Sequence, residues 1–215
     1  MTPIFWTNVG VDVQTALATA ISITNISKAT TGVVTYSGVT DPANGDYIAL
    51  TSNGMSEVGD RVFRIANVNG AANTFELEGE NTTDYQTFVS GSFQVITFGA
   101  SLTIAQTINV SGGDTEFADV TTIHDLVRKR VPTIVSPLSL AMDNIFDLSD
   151  PGFIELNKAH KSKTKRAIRL RFGTGAKMVL TGYASAAGVP TGQAQGVVQM
   201  KMSIEAQNLP TVYAS

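Results

Sequence analysis

Ile168-Arg169-Leu170-Arg171-Phe172-Gly173-Thr174-Gly175, followed by Lys177–Tyr183, decides the fold class. Ile168, Leu170 and Phe172 alternate with Arg169 and Arg171. A period of two puts apolar side chains on one face of a strand and polar ones on the other. The Gly-Thr-Gly turn then joins this strand to Lys177–Tyr183, and the whole reads as a β-hairpin. Arg169 and Arg171 share the polar face. Two readings of them stand: simple exposure to solvent, or pairing with acids of a neighbouring subunit.

The same alternation appears on both sides of the hairpin. Upstream, Leu138, Leu140 and Met142 alternate with Ser139 and Ala141; downstream, Val198, Met200, Met202 and Ile204 alternate with Gln199, Lys201, Ser203 and Glu205. One helix is expected among these strands, near residues 151–164. Asp150 suits the N-cap and Pro151 the first helical position. Phe153, Leu156 and His160 then share a face, and Lys158, Lys161 and Lys163 lie toward the C-terminal end, where the helix dipole favours positive charge.

Residues 21–98 read as a separate, compact all-β unit. Strands are expected at Gly32–Tyr36, Tyr47–Thr51, Val62–Val68, Thr74–Leu77 and Ser92–Phe98. Asp41-Pro42, Asn44-Gly45, Asn53-Gly54 and Asn69-Gly70 supply the turns between them. Short strands with regular turns predict a small barrel or sandwich. The expected organisation is an N-terminal arm and first strand at 1–20, an inserted β unit at 21–98, and a larger β-sandwich with one flanking helix at 99–215.

Composition narrows the function classes. Charged residues are only 15% of the chain, against about a quarter in typical soluble domains, which suits a surface covered by neighbours. There is no Cys, so no disulfide framework, thiolate metal site or cysteine nucleophile exists. No apolar run reaches the ~20 residues of a membrane span, and the first ten residues lack the basic start of a signal peptide. The net charge of −3 is split: residues 1–125 carry three bases and thirteen acids, residues 126–215 twelve bases and five acids. Either the basic half meets a ligand, or the two halves meet within one subunit or between neighbours.

Residues 115–215 resemble the tail tube proteins (major tail proteins) of long-tailed, siphovirus-type bacteriophages. The resemblance is carried by Phe117-Ala118-Asp119-Val120-Thr121-Thr122, then Arg128-Lys129-Arg130, Val131-Pro132 and the strand Pro137–Met142. Asp150-Pro151-Gly152 follows, then the paired strands, a small-residue loop at Ala184–Gly196 and a last strand at Val197–Glu205. The chain departs from the family pattern at Thr133-Ile134-Val135, where a Gly is usual. Residues 21–98 resemble a module that recurs in phage structural proteins, through Asn44-Gly45-Asp46, Arg61–Ile65, Asn73–Leu77, Tyr85 and Ser90-Gly91.

The resemblance implies a structural subunit that forms hexameric rings, stacked into a tube that conducts DNA during ejection. It implies a tape measure protein in the lumen, tail terminator and tail-tip proteins as partners, and assembly in the bacterial cytoplasm into the virion tail. The hairpin loop and terminal arms would bridge one ring to the next. Asp119, Thr121, Thr122, Arg128, Lys129 and Arg130 are the expected inter-ring residues, the three bases being otherwise a solvated loop tip; Arg169 and Arg171 are the expected intra-ring ones; and Ile4, Phe5 and Trp6 either make the arm contact or fold back on the core. Lys and Arg bind DNA by neutralising phosphates, so a lumen through which DNA slides is expected to be lined by acids and small polar residues.

Nothing in the chain points to catalysis. His124 and His160 have no metal-ligand spacing, and His124-Asp125 lacks an accompanying nucleophile motif. Gly173-Thr174-Gly175 lacks the third Gly of a dinucleotide fingerprint and opens no helix. Asp143, Asp147 and Asp150 read better as a polar turn running into a helix cap than as a calcium loop. No enzyme activity and no cofactor are expected. The competing readings are a phage neck or tail-completion ring protein, a secretion-system tube subunit, and a surface-binding module using Tyr36, Tyr47 and Tyr85.

Overall fold

A computed structural model describes residues 9–38 and 40–214. Ile4, Phe5 and Trp6 lie outside the described residues. The chain begins with β1 (Gly10–Leu17) and then enters a run of strands: β2 (Ile21–Ile26), β3 (Val33–Ser37), β4 (Tyr47–Asn53), β5 (Arg61–Asn69), β6 (Thr74–Leu77) and β7 (Ser90–Leu102). In space these six follow the order β2-β3-β6-β5-β4-β7, and β7 returns to β2 through Ile21–Phe93 and Ile23–Gly91. They form a closed barrel, which leaves no free edge. Phe63, Phe75, Phe93, Ile48 and Leu77 fill it and are fully buried. Phe75 and Phe93 meet edge-on with ring centroids 5.0 Å apart.

Two ion pairs flank the barrel. Arg61 forks onto Glu80, which also accepts from the Tyr85 hydroxyl at 2.6 Å, while Arg64 pairs with Glu78. Tyr36 and Tyr47, considered above as surface-binding aromatics, are instead buried at 2% and 6% exposure. The Tyr36 hydroxyl donates to Asp41 at 2.6 Å, and burial with that acceptor pushes its pKa up to about 12.

β7 is the hinge of the architecture. Its first half belongs to the barrel, and its second half, from Ile96 to Leu102, pairs with β1. It runs unbroken through position 98, where the sequence places a boundary. The chain then forms β8 (Ala105–Ser111), β9 (Thr115–Asp119), β10 (Arg130–Val135), β11 (Ser139–Ile145), α1 (Pro151–Ser162), β12 (Lys165–Arg171), β13 (Lys177–Ser185), β14 (Pro190–Thr191), β15 (Gln199–Ala206) and β16 (Thr211–Tyr213). The sheet runs β7-β1-β12-β13-β15-β11-β8. It divides at β13: β15 pairs with Gly182–Ser185, and β16 with Lys177–Val179.

The two ends of this sheet share one core. Val11, Val13, Ile168 and Leu170 belong to the same buried cluster as Leu140, Met142, Met200, Met202 and Ile204. The helix adds Phe153 and Leu156 to it. Asp150 caps the helix, its Oδ1 accepting from Phe153 N at 2.9 Å while Oδ2 accepts from Thr103. Gly152 is fixed by packing, because a Cβ there would lie 2.6 Å from the Leu102 backbone. The buried face is Gly152, Phe153, Leu156 and Ala159; His160 is only half-buried, so Ala159 fills the position expected of it. The strand expected last, at Val197–Glu205, is Gln199–Ala206, and β16 follows it.

A third cluster welds barrel to sheet. Tyr47 and Val62 of the barrel pack with Ile96, Ala167, Val179 and Tyr213. The Tyr213 hydroxyl accepts from Arg64 N at 2.6 Å, and the Arg64 guanidinium lies 4.6 Å from its ring. Asn208 donates to Gly59 O at 2.7 Å, and Lys165 pairs with Asp60 at 2.7 Å.

Candidate functional site: assembly surfaces

Three surfaces are candidates for contact between copies. The first is the hairpin of β9 and β10. Asp119 faces Arg130, Ala118 faces Val131 and Phe117 faces Pro132, and every residue of both strands is exposed. Thr133, Ile134 and Val135, which replace the usual Gly, lie within β10. The hairpin leaves the body at Gly112, whose φ of 79° and contact with Pro137 O, 2.0 Å from a would-be Cβ, admit only glycine.

Its loop is built by its polar residues. Asp125 accepts from Lys129 and, at 2.9 Å each, from Thr122 N and Oγ1. Asp119 accepts from Thr121 N at 2.9 Å and Arg128 Nε at 2.7 Å. The Thr121 hydroxyl accepts from Lys129 N at 2.9 Å. These bonds hold both carboxyls below the ordinary range: for Asp125 the Lys129 bond acts most, for Asp119 the Thr121 bonds. Of the predicted inter-ring residues, the structure brings together Asp119, Thr121, Thr122, Arg128 and Lys129 as the frame of this loop. Arg130 has no carboxylate partner among the described residues.

What the frame presents is apolar. Ile123 and Leu126 are 96% and 102% exposed, and Val127 is 74% exposed. Phe117, Val131 and Ile134 extend the apolar surface down the strands. Exposed apolar side chains clustered in one loop mark a contact site. The sequence reading assigned the loop to its charges and missed these side chains. The available signal was three apolar residues in a short loop with no periodic face to bury them.

The second surface is the outer face of β8, β11 and β15. Cross-strand registers align Thr107–Asp143–Lys201, Asn109–Ala141–Ser203 and Ser111–Ser139–Glu205. These rows hold two acids, one base and otherwise small polar or alanine side chains. The opposite residues, Leu140, Met142, Met202 and Ile204, fill the core. β8 pairs only with β11, and β7 beyond Ile96 only with β1, so each has a free hydrogen-bonding edge among the described residues. Asp143 accepts from Thr107 at 2.9 Å, Asp147 from Ser149 and Asp150 from the helix start, so the three carboxylates engage separate neighbours.

The third surface surrounds Arg169 and Arg171. Both guanidiniums converge on Asp12 of β1: Arg169 at 2.7 and 2.9 Å, Arg171 at 2.6 and 3.0 Å. Burial pushes the Asp12 carboxyl up, but hydrogen bonds from Arg171, Arg169 and Ser101 outweigh it and hold the pKa below the ordinary range. Arg169 also lies over Phe98 at 4.5 Å and Tyr47 at 5.2 Å, which places it in the weld between barrel and sheet. The acid expected on a neighbouring subunit is thus supplied within the chain. Arg171 remains 48% exposed and offers its outer side.

No group of residues able to hold a metal ion occurs among the described residues. No described helix is long and apolar enough to cross a membrane. No curated protein matches the chain significantly. Residues 53–215 match the family described as phage tail tube protein, TTP, and the match opens inside the barrel, at the end of β4. It spans well over half the chain and includes the hairpin, the polar sheet face and the arginine pair, and on that ground the chain belongs to the phage tail tube protein family and is a structural subunit of a phage tail tube.

Proposed function

We propose that copies of this chain form hexameric rings that stack into the conduit for DNA ejection in a siphovirus-type tail, without enzymatic activity. The observation that carries this reading is the apolar hairpin tip, Ile123, Leu126 and Val127, held rigidly outward by its own polar frame. A monomer gains nothing from such a tip, whereas stacked rings bury it. Asp119, Thr121, Thr122, Arg128, Lys129 and Arg130 form the inter-ring contact with it, the charged members at its rim. Within a ring, the free edges of β8 and of distal β7 join neighbouring copies, with Arg171 at the seam and Arg169 behind it. The arm residues Ile4, Phe5 and Trp6 reach an adjacent subunit.

The polar face of β8, β11 and β15 suits the lumen. Its rows carry Lys201 against Asp143 and Glu205. Phosphate neutralisation by Lys and Arg drives DNA binding, and this face offers too little positive charge to retain a duplex. Before ejection the same lumen holds a tape measure protein; terminator and tip proteins close the ends. Assembly takes place in the host cytoplasm.

The test is Ile123→Ser with Leu126→Ser and Val127→Ser, examined by negative-stain electron microscopy beside the unaltered chain. The unaltered protein forms hollow tubes with a regular axial repeat; the variant unfolds at the same denaturant midpoint but yields rings or monomers only. Normal tubes from the variant would remove the hairpin tip from the interface. Absence of rings and tubes from the unaltered chain at high concentration would overturn the tube reading.

A further inference from the structure

The segment Lys158–Arg166 ends the helix and leads into β12. It holds Lys158, Lys161, Lys163, Lys165, Arg166 and His160, and the chain has no acid between Glu155 and Glu205. Some of this charge is used locally: Lys158 pairs with Glu155 at 3.5 Å and Lys165 with Asp60 at 2.7 Å. Lys161, Lys163 and Arg166 have no carboxylate partner among the described residues. Lys161 and Lys163 are exposed, and Lys163, at φ 52°, holds the chain in the left-handed turn that ends the helix.

The barrel has the opposite imbalance. Asp41, Asp46, Glu57, Glu76 and Asp84 have no cationic partner among its described residues. Asp41 and Asp46 border one open cleft of about 590 Å³, together with Thr19, Ser22, Ser37 and Thr40. Each uses one oxygen inside the chain, Asp41 on the Tyr36 hydroxyl and Asp46 on Ala43 N. Asp46 Oδ1 has no hydrogen-bond partner among the described residues, and Asp41 Oδ2 lies close against Gly70.

Turn and cleft do not meet within one chain. Lys165 ties the turn to Asp60, which sits beside Leu50 at the middle of β4, whereas Asp46 precedes the start of that strand. Four residue steps of strand at ~3.3 Å each separate these levels by about 13 Å. We propose that the cationic turn Lys161–Arg166 of one copy docks on the Asp41–Asp46 cleft of the next copy's barrel. Such a contact joins two different surfaces of identical chains, so it propagates head to tail and closes a ring when the rotation fits. It rests on self-assembly of the chain and gives the barrel a role as the outer clamp between neighbours. The turn has no aromatic residue on which a base could stack, which favours the protein partner over nucleic acid.

The experiment is sedimentation velocity of the full chain across concentration and salt, with Lys161→Glu and Lys163→Glu combined. Few-charge surface contacts predict that the variant needs about tenfold more protein to assemble at low salt. The difference closes near 1 M salt, where charge is screened within about 3 Å. Adding Asp46→Lys to this variant recovers assembly; should that substitution not fold, the salt series on the turn variant decides alone. A variant that assembles at the unaltered concentration overturns the inference while leaving the tube reading intact. So does a variant that assembles normally but loses affinity for a duplex DNA probe. An unaltered chain that stays monomeric throughout overturns both.

Discussion

The barrel and the β9–β10 hairpin are made by the same kind of strand, yet they end in opposite states. The barrel closes on itself, buries its aromatics and pairs Arg61 with Glu80 and Arg64 with Glu78. The hairpin's strands are exposed throughout, pair with no third strand among the described residues, and its polar groups hold an apolar tip outward. The barrel fills its own interior; the hairpin leaves its apolar tip in solvent. Stability and assembly are therefore carried by separate residues, and substitutions divide them.

The largest expected effect lies in the barrel. Phe75→Ala removes a fully buried ring that contacts Phe93 and Tyr36. Such a truncation costs about 3–5 kcal/mol, read as a lowered midpoint in denaturant unfolding. Leu126→Ala, at a fully exposed position, stays within about 0.5 kcal/mol of the parent while reducing tube yield. If Leu126→Ala lowered stability as much as Phe75→Ala, the hairpin would have to fold back on the body, and the contrast between the regions would fail.

The weld between barrel and sheet comes next. Asp12→Asn leaves Arg169 and Arg171 without a carboxylate in a half-buried setting. A cost of about 2 kcal/mol is expected, below the full penalty of a buried pair because Arg171 reaches solvent. Acid has the same target. The carboxyl of Asp12 titrates lower folded than unfolded, so its contribution is complete above the unfolded carboxylate pKa of about 3.9 and fades as pH falls below it. Unfolding midpoints measured from pH 6 to pH 2.5 should drop less for Asp12→Asn than for the parent, since the variant has already lost that contribution.

The same contrast explains what was legible in the sequence. Barrel strands such as Thr74–Leu77 and Tyr47–Asn53 were readable because alternation and Asn-Gly turns agree there. β2 escaped notice because only Ile23 and Ile26 are buried along it, and β8 because its inner face is buried only in part, at Ala105 and Ile108. The arginines of β12 were found by alternation, but their partner was not. Asp12 lies at the opposite end of the chain, and no local pattern says which of eighteen acids will meet them. Exposed apolar residues were hardest, because periodicity detects burial within a chain and these side chains have none to detect.

The smallest expected effect separates charge from apolar contact at the hairpin. Arg128→Glu with Arg130→Glu reverses the rim of the loop and replaces the Arg128–Asp119 pair with two like charges. Both residues are exposed, so the unfolding midpoint stays where it was. Tube formation weakens modestly, and the weakening disappears at high salt, because screening removes an exposed charge effect. The Ile123, Leu126 and Val127 variant behaves differently, since salt does not restore a lost apolar contact. Comparing the two variants by electron microscopy over a salt series therefore assigns the interface. A charge reversal that abolishes tubes at every salt concentration would transfer the main contact from the apolar tip to the basic rim, and Arg130, which has no carboxylate partner among the described residues, would then be the residue that a neighbouring ring engages.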